Sequence, residues 1–393
     1  MRLKRVEIIK FRNFENIIID FEKNSNFPDV FSIASKNGGG KSTLLQFIFI
    51  ILHCFMDDKK KVYIQNILED LRGIFVHDEW VKFIIEEKGK EYYLNFTIDL
   101  THNNDFYFDT NLSEKLLEKL SNSIYLAIPE SQVLHFLSEK EDRIELKKLL
   151  PNFSTYNFPT EKDILKSFDN AKEKDFEEMR LNGKYGTHYI ELKDNLKGFI
   201  EGKEICESKD ATKIVFKINQ NNEELFLENL SHGEMRKLGI YIWLKNMVKK
   251  ESIVLMDEPD IALHPKWQYD LVEDLMKWSN NSQFLLATHS PQILSSTYYK
   301  NLIYLKKKDN QTVVVQPTDT FADNDINSII TLGMGATHIP PKLEKLHFEY
   351  RKLIEDGKKD IDEAKELKEQ ILEWESIDST FFKRIEMYLR FKR

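Results

Sequence analysis

The chain has 393 residues, enough for one large domain or two modest ones, and 41% of them are hydrophobic, which is ample for a buried core. Its formal net charge of −8 argues against a surface that is basic throughout for nucleic acid, although it allows a local basic groove. The two cysteines, Cys54 and Cys206, are too far apart for a zinc ribbon. No signal-peptide or membrane-spanning run is found, so we expect a cytoplasmic protein.

The first predicted elements are strands rich in β-forming residues. Residues 3–21 should form two strands on either side of Arg12-Asn13-Phe14. The apolar run Val30–Ile33 predicts a buried strand, and Leu44–Ile50 predicts a buried helix. A glycine-rich loop joins this strand to this helix, which is the layout of a phosphate-binding P-loop.

The loop has residue types that suit a phosphate. Glycines let backbone N–H groups turn inward, and the helix N-terminus adds partial positive charge. Lys41 is expected to reach the β- and γ-phosphates, and the Ser42 hydroxyl is expected to ligate Mg²⁺. The pattern GxxxxGK[ST] has Gly where this chain has Ser35, so a merely flexible glycine turn is the alternative. The residues expected to bind nucleotide here are Ser35, Lys36, Asn37, Gly38, Gly39, Gly40, Lys41, Ser42 and Thr43.

The middle of the chain predicts further strands and an insertion. Two β-rich runs flank Glu87–Lys90, which indicates a hairpin, and Ser123–Pro129 has the composition of a core strand. Residues 135–205 are more polar and predict a helical insertion, after which strands return at 214–218 and 224–227. The helices expected in the insertion are Leu137–Leu150, Glu161–Arg180 and Tyr189–Ile200.

Three more motifs follow in the second half. Leu230-Ser231-His232-Gly233-Glu234 precedes a helix with apolar periodicity. The apolar strand Ser252–Met256 leads into Asp257-Glu258, and the apolar strand Gln283–Ala287 leads into Thr288-His289-Ser290. Strands that alternate with helices and end in polar residues predict an α/β core built on parallel strands.

These motifs have residue types that suit nucleotide chemistry. Asp257 would hold Mg²⁺ through water, and Glu258 would orient and deprotonate an attacking water. Ser231 and Gly233 begin a helix and could cap an anion. Each motif also has a plainer explanation, namely a solvated carboxylate pair, an ordinary helix N-cap and, for His289, a structural histidine.

The order of the four motifs resembles an ATP-binding-cassette (ABC) ATPase head of the RecF, SMC and overcoming-lysogenization-defect class, over about residues 1–306. Phe11-Arg12-Asn13-Phe14 is similar to the opening of RecF-like heads, and Glu258–Pro265 is similar to a stretch of the overcoming-lysogenization-defect group. His232 stands where transporters usually have Gly. The resemblance implies an α/β head, a mixed sheet with a P-loop and flanking helices, here with a helical insertion and a C-terminal helical extension.

The resemblance also implies roles for single residues. Mg-ATP would bind between two head-to-tail subunits, with Ser231, Gly233 and Glu234 facing the partner's γ-phosphate. Arg12 is a candidate phosphate contact, with a surface arginine as the alternative. The residues implied in hydrolysis are Lys41, Glu258 and His289, the last as γ-phosphate sensor, and the metal ligands are Ser42 and Asp257. The glutamine that such heads place near the metal is left open between Gln65 and Gln132.

The tail is predicted to be helical and highly charged from Asp325 onward, and it is similar to the C-terminal helices of Septu defence ATPases. Its aromatic residues predict a docking surface for another protein, while a helical cap over the chain's own sheet is the alternative. The predicted domains are 1–134 (P-loop part), 135–205 (insertion), 206–316 (signature, strand-tip carboxylates and His289) and 317–393 (partner-binding helices).

The sequence therefore predicts a Mg-ATP-hydrolysing regulator in bacterial anti-phage defence that controls a separate nuclease or toxin subunit, with an HNH nuclease favoured. One alternative is a RecF-type DNA repair ATPase, and another is an ATP-binding scaffold with little turnover, similar to the AriA component of PARIS systems. A homodimer is expected, with the size of any larger assembly open. DNA binding is expected to be weak or ATP-dependent, and no membrane is expected. The trigger and the effector stay open.

Overall fold

The structure, a computed structural model, divides the chain into two compact units, Met1–Ile329 and Ile330–Arg393. The second unit thus begins after residue 317, the predicted start of the C-terminal region. Within the described ranges, every helix is too short or too polar to traverse a lipid bilayer. The residues described are 1–69, 71, 77–99, 105–130, 132, 146, 148–207, 214–218, 224–279, 281–309, 311–317, 326–334 and 339–391.

Strands dominate the first unit. In chain order they are β1 (Arg2–Phe11), β2 (Phe14–Asp20), β3 (Val30–Ser35), β4 (His77–Glu87), β5 (Lys90–Asp99), β6 (Asp105–Thr110), β7 (Ile124–Ile128), β8 (Phe153–Thr155), β9 (Lys197–Ile200), β10 (Lys203–Glu207), β11 (Ile214–Ile218), β12 (Glu224–Leu225), β13 (Ile253–Asp257), β14 (Gln283–Ala287), β15 (Leu302–Lys308) and β16 (Gln311–Val315). Among the described residues, twelve of them form one sheet in the order β6-β5-β4-β1-β2-β16-β15-β3-β14-β13-β7-β8. The remaining four form a smaller antiparallel sheet, β12-β11-β10-β9.

The centre of the large sheet is parallel. Strands β15, β3, β14, β13 and β7 run in the same direction, so their carboxyl ends meet at one edge. Every residue of β3, β7, β13 and β14 is buried. Burial on both faces explains why these strands are continuous apolar runs, as is usual for a parallel sheet covered by helices. The prediction of an α/β core with a mixed sheet is confirmed.

The helices lie between these strands in the chain. They are α1 (Lys41–Cys54), α2 (Lys61–Glu69), α3 (Glu114–Ser121), α4 (Glu161–Asn182), α5 (His188–Leu196), α6 (His232–Met247), α7 (Pro265–Trp278) and α8 (Pro291–Ser296) in the first unit, and α9 (Pro341–Glu355), α10 (Asp362–Leu372) and α11 (Thr380–Phe391) in the second. Twelve of the fourteen residues of α1 are buried. A helix enclosed in this way is expected to be apolar on all faces, and from Leu44 onward its polar exceptions are Gln46 and His53.

The antiparallel part of the large sheet matches its prediction. Strands β1 and β2 flank Arg12-Asn13, and β4 pairs with β5 through a tight turn at Lys88-Gly89. Both turn residues have positive φ, 51° at Lys88 and 76° at Gly89. A two-residue turn of this hand matches the twist of the flanking strands, so the predicted hairpin forms.

Residues 135–205 are not purely helical, which corrects the predicted insertion. The helix Glu161–Asn182 is present, but β8 joins the large sheet beside β7, and Lys197–Ile200 is a strand rather than the end of a helix. Gly198 and Gly202, with φ of 71° and 76°, allow the chain to leave the helix and turn back as a hairpin. The predicted helix Leu137–Leu150 lies largely outside the described residues.

The second unit has a small core of its own, formed by α9, α10 and α11. As predicted, α9 starts at the Pro340-Pro341 pair and ends before Gly357, whose φ is 76°. The core side chains include Leu343, Leu346, Tyr350, Ile354, Leu367, Ile371, Phe381 and Phe382. The docking surface was expected to use the tail's aromatic residues, and three of them, Tyr350, Phe381 and Phe382, are therefore internal to this unit.

Candidate nucleotide-binding site

The glycine-rich loop connects β3 to α1 at the carboxyl edge of the sheet. Gly38 and Gly40 have φ of 71° and 95°, a backbone region that favours glycine. A Cβ on Gly39 would lie 2.5 Å from the Ser35 side chain, and one on Gly40 would lie 2.8 Å from the Phe14 ring. Three glycines in succession are thus required by backbone conformation and by close packing, and the loop is not merely flexible.

Lys41 lies at the centre of this loop and is buried. Its Nζ donates to the Oγ of Ser35 at 3.4 Å and lies 2.6 Å from Nε2 of His289. Burial lowers the pKa of Lys41, and the carboxylates of Asp257 and Glu258 oppose that shift. Ser35, which departs from the usual glycine, therefore supplies a hydroxyl acceptor for the loop's lysine.

The tip of β13 supplies two carboxylates. Asp257 is fully buried, and burial raises its pKa to about 6, while Ser42 and Gln132 lie near enough to oppose the shift. Neither of its oxygens has a hydrogen bond of normal geometry within the described part of the chain. A buried carboxylate left in this state fits a metal position, because Mg²⁺ takes oxygen ligands and would return the missing interactions.

Glu258 follows at the strand tip in a left-handed conformation, with φ of 47°. Its backbone N–H donates to the carbonyl of Ala287 at the end of β14, at 2.7 Å. The residue is only half-buried and lines an open cleft of about 760 Å³. The other residues lining this cleft are Arg12, Asn13, Phe14, Asn37, Gly38, Gly39, Gly40, Lys41, Ser42, Thr43 and His289.

The segment that carries His289 is held by a short chain of hydrogen bonds. The Thr288 hydroxyl donates to Asp260 Oδ1 at 2.5 Å and accepts from the backbone N–H of Ser290 at 2.9 Å. Burial lowers the pKa of His289, and the neighbouring Lys41 ammonium lowers it further. The imidazole is therefore neutral at pH 7, able to accept from Lys41 on one nitrogen and to donate from the other.

The structure gives positions to residues that the sequence left open, namely the two glutamine candidates and Arg12. Gln132 lies beside Asp257, whereas Gln65 is exposed on α2, so of the two candidates Gln132 is the one placed near the expected metal position. Arg12 is exposed, has φ of 49°, and lines the cleft with its guanidinium 5.6 Å from the centroid of the Phe11 ring. Its position allows contact with a phosphate in the cleft.

The signature motif, Leu230–Glu234, lies outside this cleft. Ser231 caps α6 and forms a reciprocal capping box with Glu234, whose carboxylate also pairs with Lys203 at 2.8 Å. A Cβ on Gly233 would lie 2.8 Å from the carbonyl of Ala262, so a larger residue does not fit there. Ser231, Gly233 and Glu234 do not line the cleft over the P-loop.

Arg236, one turn further along α6, was not anticipated. It is 8% exposed, and its guanidinium stacks on the Tyr156 ring at 3.7 Å. It also donates to the carbonyls of Tyr156 at 3.4 Å and of Glu258 at 3.5 Å. These contacts connect the signature helix to the strand tip that carries the two carboxylates.

Fold and site together define the class of protein, a P-loop ATPase head of the ABC and SMC type. A solved SMC head, bound to the C-winged helix domain of ScpA, has the same fold with a TM-score of 0.51 at 14% identity, covering 82% of this chain and 99% of that one. The family model described as "AAA domain, putative AbiEii toxin, Type IV TA system" matches residues 36–295. The chain belongs to this family.

Two relatives carry names from defence systems. Over 191 residues, 45% of this chain and 37% of the other, it is 25% identical to the "Retron Vc95 probable ATPase" of Vibrio cholerae serotype O1 biovar El Tor. Over 424 aligned residues, 98% of this chain and 53% of the other, it is 23% identical to the Septu protein PtuA of Bacillus mycoides (strain KBAB4). The chain therefore spans between a third and about half of the length of these relatives.

Proposed function

We propose that the chain binds Mg-ATP in the cleft over the P-loop and hydrolyses it. One observation carries the proposal: Lys41, Glu258 and His289 come together from three different strand ends, above a buried Asp257 that lacks hydrogen bonds. Hydrolysis of a phosphoanhydride needs positive charge on the phosphates, a metal position and a base for water, and these residues supply all three.

Each side chain has a distinct part in this proposal. Lys41 leaves its bond with His289 to contact the β- and γ-phosphates, and the backbone N–H groups of the glycine loop bind the same oxygens. Ser42 and Asp257 hold Mg²⁺, which when bound would neutralise charge on the phosphates. Glu258 accepts a proton from the attacking water, and neutral His289 donates a hydrogen bond to the γ-phosphate.

The proposal is tested by measuring Mg²⁺-dependent ATP binding and phosphate release for the whole chain and for Lys41→Ala. Loss of the lysine should weaken ATP binding at least tenfold and abolish phosphate release. Lys59→Ala provides a control, because Lys59 is an exposed lysine outside the glycine loop and the cleft lining. Equal ATP binding by wild type and Lys41→Ala would contradict the proposal. ATP binding by wild type without any turnover would favour the scaffold alternative.

We further propose that this ATPase acts as a sensor or regulator in anti-phage defence, together with a separate nuclease or toxin subunit. The names of the retron and Septu relatives support the defence setting, since the alignment with PtuA runs along almost the whole chain. Co-expression with the product of the adjacent gene should protect a host against phage, and Lys41→Ala should remove the protection. Protection by the neighbour alone, unaffected by Lys41→Ala, would exclude this role and leave DNA repair as the alternative.

A further inference from the structure

A second recess, away from the P-loop cleft, lies where the insertion meets the signature helix. It has a volume of about 320 Å³ and is enclosed by α4, α5, the C-terminal end of α6 and the residues that follow α6 and α7. A volume at the lower end of the range of small-molecule sites fits a compact ligand better than a polymer. We call it the lysine recess, after Lys174, Lys245, Lys249 and Lys250 in its lining.

Four lysine ammonium groups share this recess although the chain has a net charge of −8. None of them has an ion pair or a hydrogen bond with any other described residue, although the Lys245 ammonium lies 5.6 Å from the Tyr241 ring centroid. Burial lowers the pKa of Lys245, and the charges of Lys174 and Lys250 lower it further. The cluster is therefore held together against its own repulsion.

The surroundings offset only part of this charge. Glu191 is the one carboxylate in the recess lining, and it opposes the lowered pKa of Lys245. Three helices, α5, α6 and α7, end at the recess, and each helix C-terminus has roughly half a negative charge, so Lys245 also complements a helix end. A surplus of about one and a half positive charges is left after Glu191 and the helix ends are counted. Lys174, which lies within α4, is not explained by any helix end.

We propose that the lysine recess binds a small phosphate-bearing anion with more than one negative charge. Phosphoryl oxygens accept from several ammonium groups at once, and a multiply charged anion would remove the repulsion between the lysines. A neutral donor is also present, because Asn170 in the lining donates one of its two N–H groups to Asn246 Oδ1 at 3.3 Å and has a second one for a ligand. A nucleotide-sized phosphate ester or a polyphosphate matches both the surplus charge and the volume.

The recess is separate from the nucleotide cleft. The two linings share no residue: the cleft is lined by the glycine loop, Arg12–Phe14, Glu258 and His289, and the recess by α4, α5 and the C-terminal ends of α6 and α7. A ligand in the recess would contact the end of α6 opposite to Ser231, roughly 21 Å away at 1.5 Å per residue. It would not compete directly with ATP.

Calorimetric titration of pyrophosphate into the whole chain tests the proposal. A Lys41→Ala background keeps the P-loop from dominating the signal. Lys245→Met with Lys249→Met removes two charges, and the methionine that replaces Lys245 can still pack on Tyr241. We expect these two changes to weaken pyrophosphate binding at least tenfold. Without the Lys41 change, they should leave ATP turnover within twofold of wild type.

Lys358→Met with Lys359→Met is the matched control, because it removes two exposed, adjacent lysines of the second unit. Equal loss of affinity in this control would reduce the effect to general electrostatics, and unchanged affinity in the recess variant would overturn the proposal. A labelled single-stranded oligonucleotide is titrated in parallel. If it binds through Lys245 and Lys249 more tightly than pyrophosphate, the ligand is a nucleic acid and the assignment to a small anion is wrong.

Discussion

At the scale of single residues, Glu258 combines a strained backbone with a half-buried carboxylate that lines the cleft. Its left-handed φ turns the side chain out of the strand and into the cleft. We predict that Glu258→Gln keeps ATP binding and lowers turnover about 10²–10⁴-fold, the usual scale for losing a general base. Single-turnover phosphate release measures the effect, with Glu273→Gln on the exposed face of α7 as control. Wild-type turnover by the Gln variant would mean that another group is the base.

Asp257 gives a prediction for stability as a function of pH. Burial raises its pKa from 3.8 to about 6, so its protonated form is favoured in the folded chain. The resulting stabilisation is present below pH 3.8 and is lost as the pH rises through about 6, a difference of about 3 kcal/mol when fully expressed. Without metal or nucleotide, Asp257→Asn should therefore unfold at a higher temperature than wild type at pH 8, and the gain should shrink toward pH 4.

The control for that experiment is Asp270→Asn, which removes one carboxylate from the exposed face of α7. This variant should not gain stability to the same extent. A Tm for Asp257→Asn equal to or below wild type at pH 8 would show that the charge of Asp257 is compensated in the folded chain. Addition of Mg²⁺ should raise the Tm of wild type only.

Residues with a motif could be predicted from sequence, and residues that act through contacts could not. Lys41, Glu258 and His289 follow apolar strands in a recognisable order, and they meet because parallel strands end at one edge. Arg236 has no local pattern, since its importance comes from Tyr156 and Glu258, which are distant in sequence, and Gln132 was one of two candidates that its position beside Asp257 distinguishes. The sequence shows only an arginine shortly after the signature motif, and its burial cannot be read from the sequence.

At the scale of elements, α6 presents its capped N-terminus away from the cleft of its own chain. This arrangement suits an ATP site shared between two subunits, with Ser231 acting on the partner's nucleotide. Mixed dimers of Lys41→Ala and Ser231→Arg subunits would then contain one intact site, and random pairing in a closed dimer should restore roughly a quarter of wild-type turnover. Differently tagged chains, purified in sequence, isolate the mixed dimer, whose single intact site should give roughly half of wild-type turnover.

Ser231→Arg also removes a helix cap, at about 1 kcal/mol, so the melting temperature of each parent chain must be measured alongside. If proven mixed dimers show no turnover while both parents remain folded, the shared-site model is wrong. Wild-type turnover by Ser231→Arg alone would show that the signature motif takes no part in ATP hydrolysis.

Element type was predictable where periodicity was strong. The strands of the parallel centre and the helix α6 were found because burial on defined faces imposes an apolar pattern. The stretch Lys197–Ile200 was assigned wrongly because its pairing depends on β10 and on two glycine turns. Phe199 and Ile200 favour a strand and Gly198 disfavours a helix interior, so the error came from extending the preceding helix through this stretch.

At the scale of the whole molecule, the chain has two cores. All residues of the proposed ATP site lie in Met1–Ile329, and the helices of the second unit pack around Tyr350 and Phe382. Removing residues 330–393 should therefore leave ATP affinity within about twofold of wild type. An insoluble or nucleotide-free product would mean that the second unit is required for the first to fold.

The docking surface proposed for the second unit is limited to its exposed aromatic residues. Trp374 and Phe391 are 45% and 90% exposed, whereas Phe381 and Phe382 are internal. Trp374→Ala with Phe391→Ala should reduce co-purification of the adjacent gene product while the melting temperature is preserved. Phe176→Ala in α4, another exposed aromatic, is the control. Undiminished co-purification would move the docking surface to the first unit.

The contact between Arg236 and the carbonyl of Glu258 has a consequence for cooperativity. In a shared-site dimer, the helix that engages the partner's nucleotide is tied to the strand tip that acts on its own nucleotide. Occupancy of one site would then change the geometry of the other, which is a coupling free energy between sites. ATP turnover should show a Hill coefficient above 1, and Arg236→Met should bring it toward 1 with ATP affinity retained. A Hill coefficient of 1 for the chain with Arg236 in place would show that the two sites hydrolyse ATP independently.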